Sequence, residues 1–416
     1  MDVNDLEGKT IAFLASGGLD SCTITHWLTS RGVNVVTFTA DLGQPDEIDL
    51  DAVAARMRAC GAVEAVVVDL AEEMGEAGIE AIQAQGTYEG GYWVTTPLGR
   101  YVTTKGVVPR ILERGINVLS HGATGRGNDQ MRFQLITNMI APTMDVYAPW
   151  RDQHFLDRFG GREQMIEYCE SHNLPIRHSK LKPYSTDANL LGLTHEAGEL
   201  EALTTPANFV TPEMGVRATE APDHPESVTV TFEKGRPTRI NGTDVLNAAD
   251  LFIRANEIGG RNAVGINLHL LENRFVGIKG RGIYEAPGME LLGRAYAFLL
   301  QAILDRRARK FFDEASLYYA EQLYQGYGED LGSLLVKEVF AKVAELATGT
   351  IAVDCYKGNV SFVSMQDVPH SVYVQDHASM EDVSGFDHRD SEGFVRVLGL
   401  GATASSKAGQ IKSKLQ

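Results

Sequence analysis

Residues 16–21 read Ser-Gly-Gly-Leu-Asp-Ser, and residues 120–133 read Ser-His-Gly-Ala-Thr-Gly-Arg-Gly-Asn-Asp-Gln-Met-Arg-Phe. In the first stretch Gly17 and Gly18 let the backbone take φ > 0 and leave no Cβ in a ligand's way. The helix that follows opens on uncapped N–H groups at the positive end of its dipole, a combination that attracts an anion. The turn lacks the lysine of G-x-x-x-x-G-K-[ST], so it is not that phosphate loop. In the second stretch Thr124, Asn128, Asp129 and Arg132 supply a hydroxyl, an amide, a carboxylate and a guanidinium within nine residues. Those groups suit the charged ends of an amino acid. The glycine order is wrong for a dinucleotide fingerprint, and polar residues follow where that fingerprint needs a packed helix.

The elements that must carry these stretches follow from hydrophobic periodicity. Apolar runs at 10–15, 33–40, 63–70, 116–120 and 144–150 alternate with helical patterns at 20–31, 49–60, 71–85 and 98–114. Strands apolar on both faces and spaced by helices predict a parallel sheet covered on both sides. Ligands of such sheets sit at the carboxyl ends of the strands, where both glycine-rich stretches fall. After about residue 175 the alternation stops. Residues 227–240 read as an antiparallel hairpin turning at Gly235, and helices are expected at 244–258, 288–312, 315–326 and 332–346, with short strands near 349–356 and 360–364. The expected organisation is α/β: a nucleotide-binding domain at 1–175, an α+β domain at 176–375, and a polar arm at 376–416, extended and ending in a short helix.

Composition removes several function classes. Lys plus Arg number 38 against 55 Asp plus Glu, a net charge of −17, with a short basic tail at 405–414. A nucleic-acid partner needs a cationic face and is disfavoured. Cys22, Cys60, Cys169 and Cys355 are scattered with no C-x-x-C pair, which argues against a zinc cluster or a disulfide framework and fits a reducing cytoplasm. The polar N-terminus and the lack of any 18-residue apolar stretch predict neither signal peptide nor membrane span. His195 in Thr-His-Glu-Ala-Gly lacks the H-E-x-x-H spacing of a zinc site, and His121 reads as a structural histidine.

The hexapeptide at 16–21 resembles the PP-loop of ATP pyrophosphatases, which cleave ATP between the α and β phosphates. With "TADLGQ", "APWR", "YSTDANL", "THEAGELE" and "ENRFVGIKGRGIYEAPG" in order over nearly the whole chain, it resembles the argininosuccinate synthase family. The resemblance implies ligation of citrulline and aspartate, with ATP consumed to AMP and pyrophosphate, Mg²⁺ present, and a homotetramer. It implies ATP contacts at Ser16, Gly17, Gly18, Leu19, Asp20, Ser21, Ala40, Gly122 and Asp187, and aspartate contacts at Thr124, Asn128 and Asp129. For citrulline it implies Tyr92, Asn128, Arg132, Ser185, Thr194, Glu196, Glu272 and Tyr284. Arg132 is expected to clamp the α-carboxylate of citrulline and Glu272 to pair its α-ammonium, with Asp129 and Arg132 as the catalytic pair. His121 and His195, the histidines inside the motifs, are not assigned to the site, which leaves Asp129 or the nucleotide phosphate to take the proton of the aspartate amine.

Two departures stand out. Cys22 follows Ser21 where the family usually reads Asp-Thr-Ser, placing a thiol in the first turn of a helix, where a thiolate is favoured. Thr96-Pro97 replaces a common Thr-Ser, which removes any side-chain hydroxyl at Pro97. An RNA-modifying PP-loop enzyme would need paired cysteines and a basic docking face. A degenerate nucleotide binder on the same fold would have lost polar positions that this chain keeps. A paralogue acting on another ureido or guanidino compound is the narrower alternative, because one methylene changes discrimination by only about 1–3 kcal/mol.

Overall fold

The computed structural model describes residues 1–45, 49–176, 183–381 and 385–411. Thr10–Leu14 (β1), Leu19–Thr29 (α1), Asn34–Asp41 (β2), Leu50–Ala59 (α2), Glu64–Asp69 (β3), Ala71–Gln83 (α3), Thr95–Glu113 (α4), Val118–His121 (β4), Asp129–Ile140 (α5) and Asp145–Tyr147 (β5) alternate as the periodicity predicts. The five strands form a parallel sheet in the order β3-β2-β1-β4-β5. Chain direction across the sheet reverses between β1 and β4, which opens a crevice beyond their carboxyl ends. Ile11, Ala12 and Phe13 of β1 and Val35, Val36 and Phe38 of β2 are all buried, as central strands covered on both faces require.

One sequence expectation fails here. A packed helix, α5, does follow the second glycine-rich stretch, burying Phe133, Ile136 and Thr137. Its periodicity is masked because its first turn is polar and faces the cleft. Gln153–Arg158 (α6) and Arg162–Ser171 (α7) then cover the far side of the sheet, where Phe155, Phe159 and Tyr168 join Trp27, Leu28 and Phe13 in one core.

Beyond the parallel sheet, Ser185–Asn189 (β6) and Gly192–Glu196 (β7) form a hairpin that the periodicity does not announce. Glu226–Glu233 (β8) and Arg236–Ile240 (β9) form the expected hairpin, turning at Gly235. Then come Thr243–Asp244 (β10), Ala248–Arg261 (α8), Leu268–Asn273 (β11), Lys279–Glu285 (β12), Pro287–Ile303 (α9), Arg306–Gln325 (α10), Leu331–Ala344 (α11), Gly349–Tyr356 (β13), Asn359–Gln366 (β14), Gln375–Ala378 (α12) and His388–Lys407 (α13). Two antiparallel sheets result, in the orders β10-β9-β8-β13-β14 and β11-β12-β7-β6. The helix expected over 288–312 ends at Ile303, because Asp305 caps the next helix by accepting from Arg307 and Ala308 N–H groups.

A continuous apolar core joins Val36, Phe38 and Val68 of the parallel sheet to Leu291, Tyr296 and Leu299 of α9 and to Val230, Phe232, Ile351 and Val353 beneath the five-stranded antiparallel sheet. The terminal arm is more ordered than the sequence suggests: α13 runs for 20 residues and buries none of them. Lys412 and Lys414 of the basic tail lie outside the described residues. Among the described residues no helix is long and apolar enough to cross a membrane.

Candidate active site

The turn after β1 is built so that its backbone is the reagent. Gly17 has φ +75°, and a Cβ there would lie 2.7 Å from Val53 and 2.8 Å from the Arg56 guanidinium, so only glycine fits. Arg56 donates to the Gly17 carbonyl at 2.7 Å, and Ser21 Oγ accepts from Ser16 N–H at 3.0 Å, which fixes the turn from both ends. Gly18 is the N-cap of α1 and offers no side-chain cap, so the first N–H groups of the helix face outward without an internal acceptor. That is an anion cradle. Leu19 and Ser21 lie in the first turn of α1, and Ala40 closes β2 beside Asp41.

The hydrogen bond with Cys60 lowers the Cys22 pKa, as a thiolate at this position would need, but Cys22 is fully buried, its Sγ 3.9 Å from the Gly17 carbonyl, so it is inaccessible to reagents.

A cleft of about 700 Å³ opens between this turn, the loop after β4 and the four-stranded antiparallel sheet. Asp20, Tyr92, Gly122, Thr124, Asn128, Asp129, Arg132, Ser185, Asp187, Thr194, Glu196, Glu272 and Tyr284 all line it. Ser16, Gly17, Gly18, Leu19, Ser21 and Ala40 stand at the strand ends beside it rather than in its wall. Asp20 and Gly122 bring the two glycine-rich stretches together, since a Cβ on Gly122 would touch Asp20 at 3.6 Å. Burial raises the Asp20 pKa, opposed by the Trp150 indole N–H that donates to its carboxylate at 3.0 Å.

Strand register explains how residues scattered over a hundred positions share one wall. Asp187 lies opposite Thr194, and Thr194 opposite Tyr284, giving one row across β6, β7 and β12. Ser185, Glu196 and Gly282 form the next row. Gly282 has to lack a side chain, because a Cβ would fall on the folded-back Tyr284 ring. Tyr284 packs on Tyr92 with ring centroids 4.1 Å apart, and the Tyr92 hydroxyl accepts from Thr96 N–H at 3.1 Å. The Thr96 hydroxyl meets that of Thr194 at 3.0 Å, while Pro97 is buried inside α4. Glu272 belongs to β11 and Arg274 to the turn after it.

Charges of both signs are interlocked. Arg100 from α4 bridges Asp129 (2.9 Å) and Asp187 (2.5 Å), and Arg132 holds the other Asp129 oxygen at 2.7 Å. Burial works against the Asp129 carboxylate, yet Arg100 and Arg132 together hold its pKa well below the usual carboxylate range. Asp129 is therefore a permanent anion and unsuited to take a proton. Glu196 is the opposite case: burial, then the nearby Asp129 and Asp187 charges, push it up to about 7. Burial also lowers His121 to about 3, so this fully buried ring, stacked on Phe133, stays neutral. His195 lies on the far side of β7, bonded to Glu285 at 2.5 Å, whose carboxylate also accepts from Glu213 and Met214 N–H groups. It ties β7 to β12 and stays out of the cleft.

Sequence reasoning missed Arg100, Arg126, Lys279, Arg281 and Tyr324. Arg281, on the cleft wall, donates to the carbonyls of Leu200, Ala202 and Thr205 and so fixes the loop that carries Glu201. Arg126 lies inside the 120–133 stretch and Lys279 and Arg281 inside ENRFVGIKGRGIYEAPG, but none of the three sits in a pattern with chemical meaning of its own; Arg100, three residues after Pro97, and Tyr324 lie outside the quoted motifs.

An uncapped helix N-terminus at the switch point of a parallel sheet, facing a wall of charged and polar side chains of both signs, is the arrangement of an ATP-dependent ligase with a nucleotide-binding domain of the PP-loop kind. The N-terminal HUP domain model of arginosuccinate synthase matches residues 10–175, and the C-terminal domain model matches 184–405. Argininosuccinate synthase of Rhodopirellula baltica is 39% identical over 397 residues, covering 94% of this chain and 96% of its own. That of Aquifex aeolicus is 38% identical over 397 residues, covering 95% and 97%. The chain belongs to the argininosuccinate synthase family, carbon–nitrogen ligases that join citrulline to aspartate through a citrullyl-adenylate in arginine biosynthesis.

Proposed function

We propose that this cleft performs the family reaction with the residues named above, ATP lying along the turn after β1 and the two amino acids along the antiparallel wall. The interlocked Arg100–Asp129–Arg132–Asp187 network carries this reading, because a cleft offering fixed charges of both signs suits two zwitterions. Thr124, Asn128 and Asp129 hold aspartate. Arg132 and Glu272 hold the two ends of the amino-acid head of citrulline, with Tyr92, Ser185, Thr194 and Tyr284 around its chain. Gly122 and Asp187 flank the nucleotide.

The ureido carbon is a poor electrophile until its oxygen attacks the α-phosphorus. Pyrophosphate then leaves into the N–H cradle of Gly17, Gly18 and the first turn of α1. AMP becomes the leaving group at carbon, and the aspartate amine, held beside it, attacks without a bimolecular encounter. Glu196, poised near neutral pH, takes the amine proton that Asp129 cannot. Asp20 is a carboxylate at the phosphate turn, a donor that fits Mg²⁺ held mainly by substrate phosphates. Bound there, the cation would neutralise charge on the departing pyrophosphate.

The division at about residues 175 and 375, a cytoplasmic setting and a homotetramer belong to the same proposal. Phe394, Val395, Val397, Leu398 and Leu400 of α13 stand in solvent, which supports burial against a neighbouring subunit. Removal of residues 376–416 should dissociate the tetramer in light scattering; a truncated chain that still scatters as a tetramer would refute that assignment. The reaction itself is tested by incubating the protein with citrulline, aspartate and Mg-ATP. Argininosuccinate, AMP and pyrophosphate in equal amounts are expected, and ADP as product would overturn the reading.

A further inference from the structure

Tyr324 touches three of the side chains assigned to the amino acids, although it lies about fifty residues or more from each of them in sequence. It occupies the last turn of α10, just before Gly326 ends that helix with φ +102°. Its ring stacks on Tyr88 with centroids 3.9 Å apart and planes 9° apart, and the Arg132 guanidinium lies 4.9 Å from its centroid. Its backbone carbonyl accepts from Arg132 Nε at 2.9 Å. Its hydroxyl accepts from Asn128 Nδ2 at 2.9 Å and donates to Glu272 Oε2 at 2.8 Å.

One phenol oxygen thus uses both of its capacities between two recognition residues. With Nδ2 committed to the phenol, the Asn128 amide has one orientation: its Oδ1 lies toward Val276 N–H, at 3.4 Å, and its second N–H is left for a carboxylate. With Oε2 committed, Glu272 keeps Oε1 for an ammonium, beside Arg274 at 3.6 Å. We propose that Tyr324 is the positioning residue of the amino-acid site, its hydroxyl setting Asn128 and Glu272 as one unit so that the aspartate and citrulline positions are tuned together. This rests on the functional reading above, since Asn128 is assigned to both amino acids and Glu272 to citrulline.

Tyr324→Phe is the clean test, because it keeps the stack on Tyr88, the ring beneath Arg132 and the backbone carbonyl while deleting the hydroxyl alone. Loss of a hydrogen bond to a carboxylate corresponds to roughly a tenfold or greater effect. The variant is expected to raise KM for citrulline about tenfold and KM for aspartate several-fold, with kcat and KM for ATP changed less than about twofold. In a Glu272→Gln background the same substitution should cost much less, because the charged acceptor is gone. Unchanged amino-acid KM values, or strict additivity with Glu272→Gln, would overturn the proposal. Failure of the parent protein to make argininosuccinate would instead overturn the functional reading, so the two failures are distinguishable.

Discussion

The two faces of the cleft are made of different materials. On the parallel-sheet face, the turn after β1 presents backbone N–H groups shaped by Gly17 and Gly18, and its side chains serve mainly to brace it, as Arg56 and Ser21 do. On the antiparallel face and the adjoining helices α4, α5 and α10 the exposed groups are side chains, and Arg100, Asp129, Arg132, Asp187, Asn128, Tyr324 and Glu272 form one hydrogen-bonded system. A backbone cradle fits any polyphosphate and tolerates little change in shape. A side-chain wall fits particular amino acids and tolerates little change in charge. Substitutions on the two faces should therefore separate nucleotide binding from amino-acid binding.

The largest separation is expected at Arg132. Arg132→Leu removes a guanidinium partner of Asp129 and leaves the Tyr324 carbonyl unpaired. Citrulline affinity should fall by about 3 kcal/mol while ATP affinity stays within about twofold. Calorimetry with each ligand measures both, and unchanged citrulline affinity would break the division. Gly17→Ala is the mirror image: a positive φ and two close contacts strain the turn, and ATP affinity should fall by about 2 kcal/mol with citrulline affinity kept.

Glu196 sharpens the comparison through pH. With its pKa near 7, kcat/KM should decline as pH falls through neutrality, and Glu196→Gln should abolish that limb along with most activity. The folded chain holds this proton more tightly than the unfolded one, whose Glu titrates near 4.5. Stability conferred by the neutral carboxyl is therefore lost as pH rises from about 4.5 to about 7. Glu196→Gln should melt slightly higher than the parent at pH 8 and equally at pH 4, by scanning calorimetry. The smallest effect is at Cys22: being fully buried, it should resist iodoacetamide in the native protein, and Cys22→Ser should retain most activity. Rapid native modification of Cys22 would show that the cradle opens.

This difference in material also explains what could be read from the sequence. The parallel half was legible because its strands are apolar on both faces and its cradle is one contiguous hexapeptide. The antiparallel wall was not: β6 and β7 are short, polar on the cleft face and lack an apolar run, and β11 is defined by its pairing with β12 rather than by an apolar run of its own. Site residues inside quoted motifs, such as Asn128 and Glu272, were reachable by resemblance. Tyr324 was not, because its meaning lies in contacts from the end of α10 to the start of α5 and to β11, far away in sequence, and its ring packs in the core.

The central claim is that the turn after β1 receives pyrophosphate while the wall opposite holds an activated ureido carbon. Citrulline labelled with ¹⁸O at the ureido oxygen, turned over with aspartate and ATP, tests it most directly. Mass spectrometry should find the label in AMP, one atom per argininosuccinate formed. Label in pyrophosphate or water, with AMP unlabelled, would contradict the account.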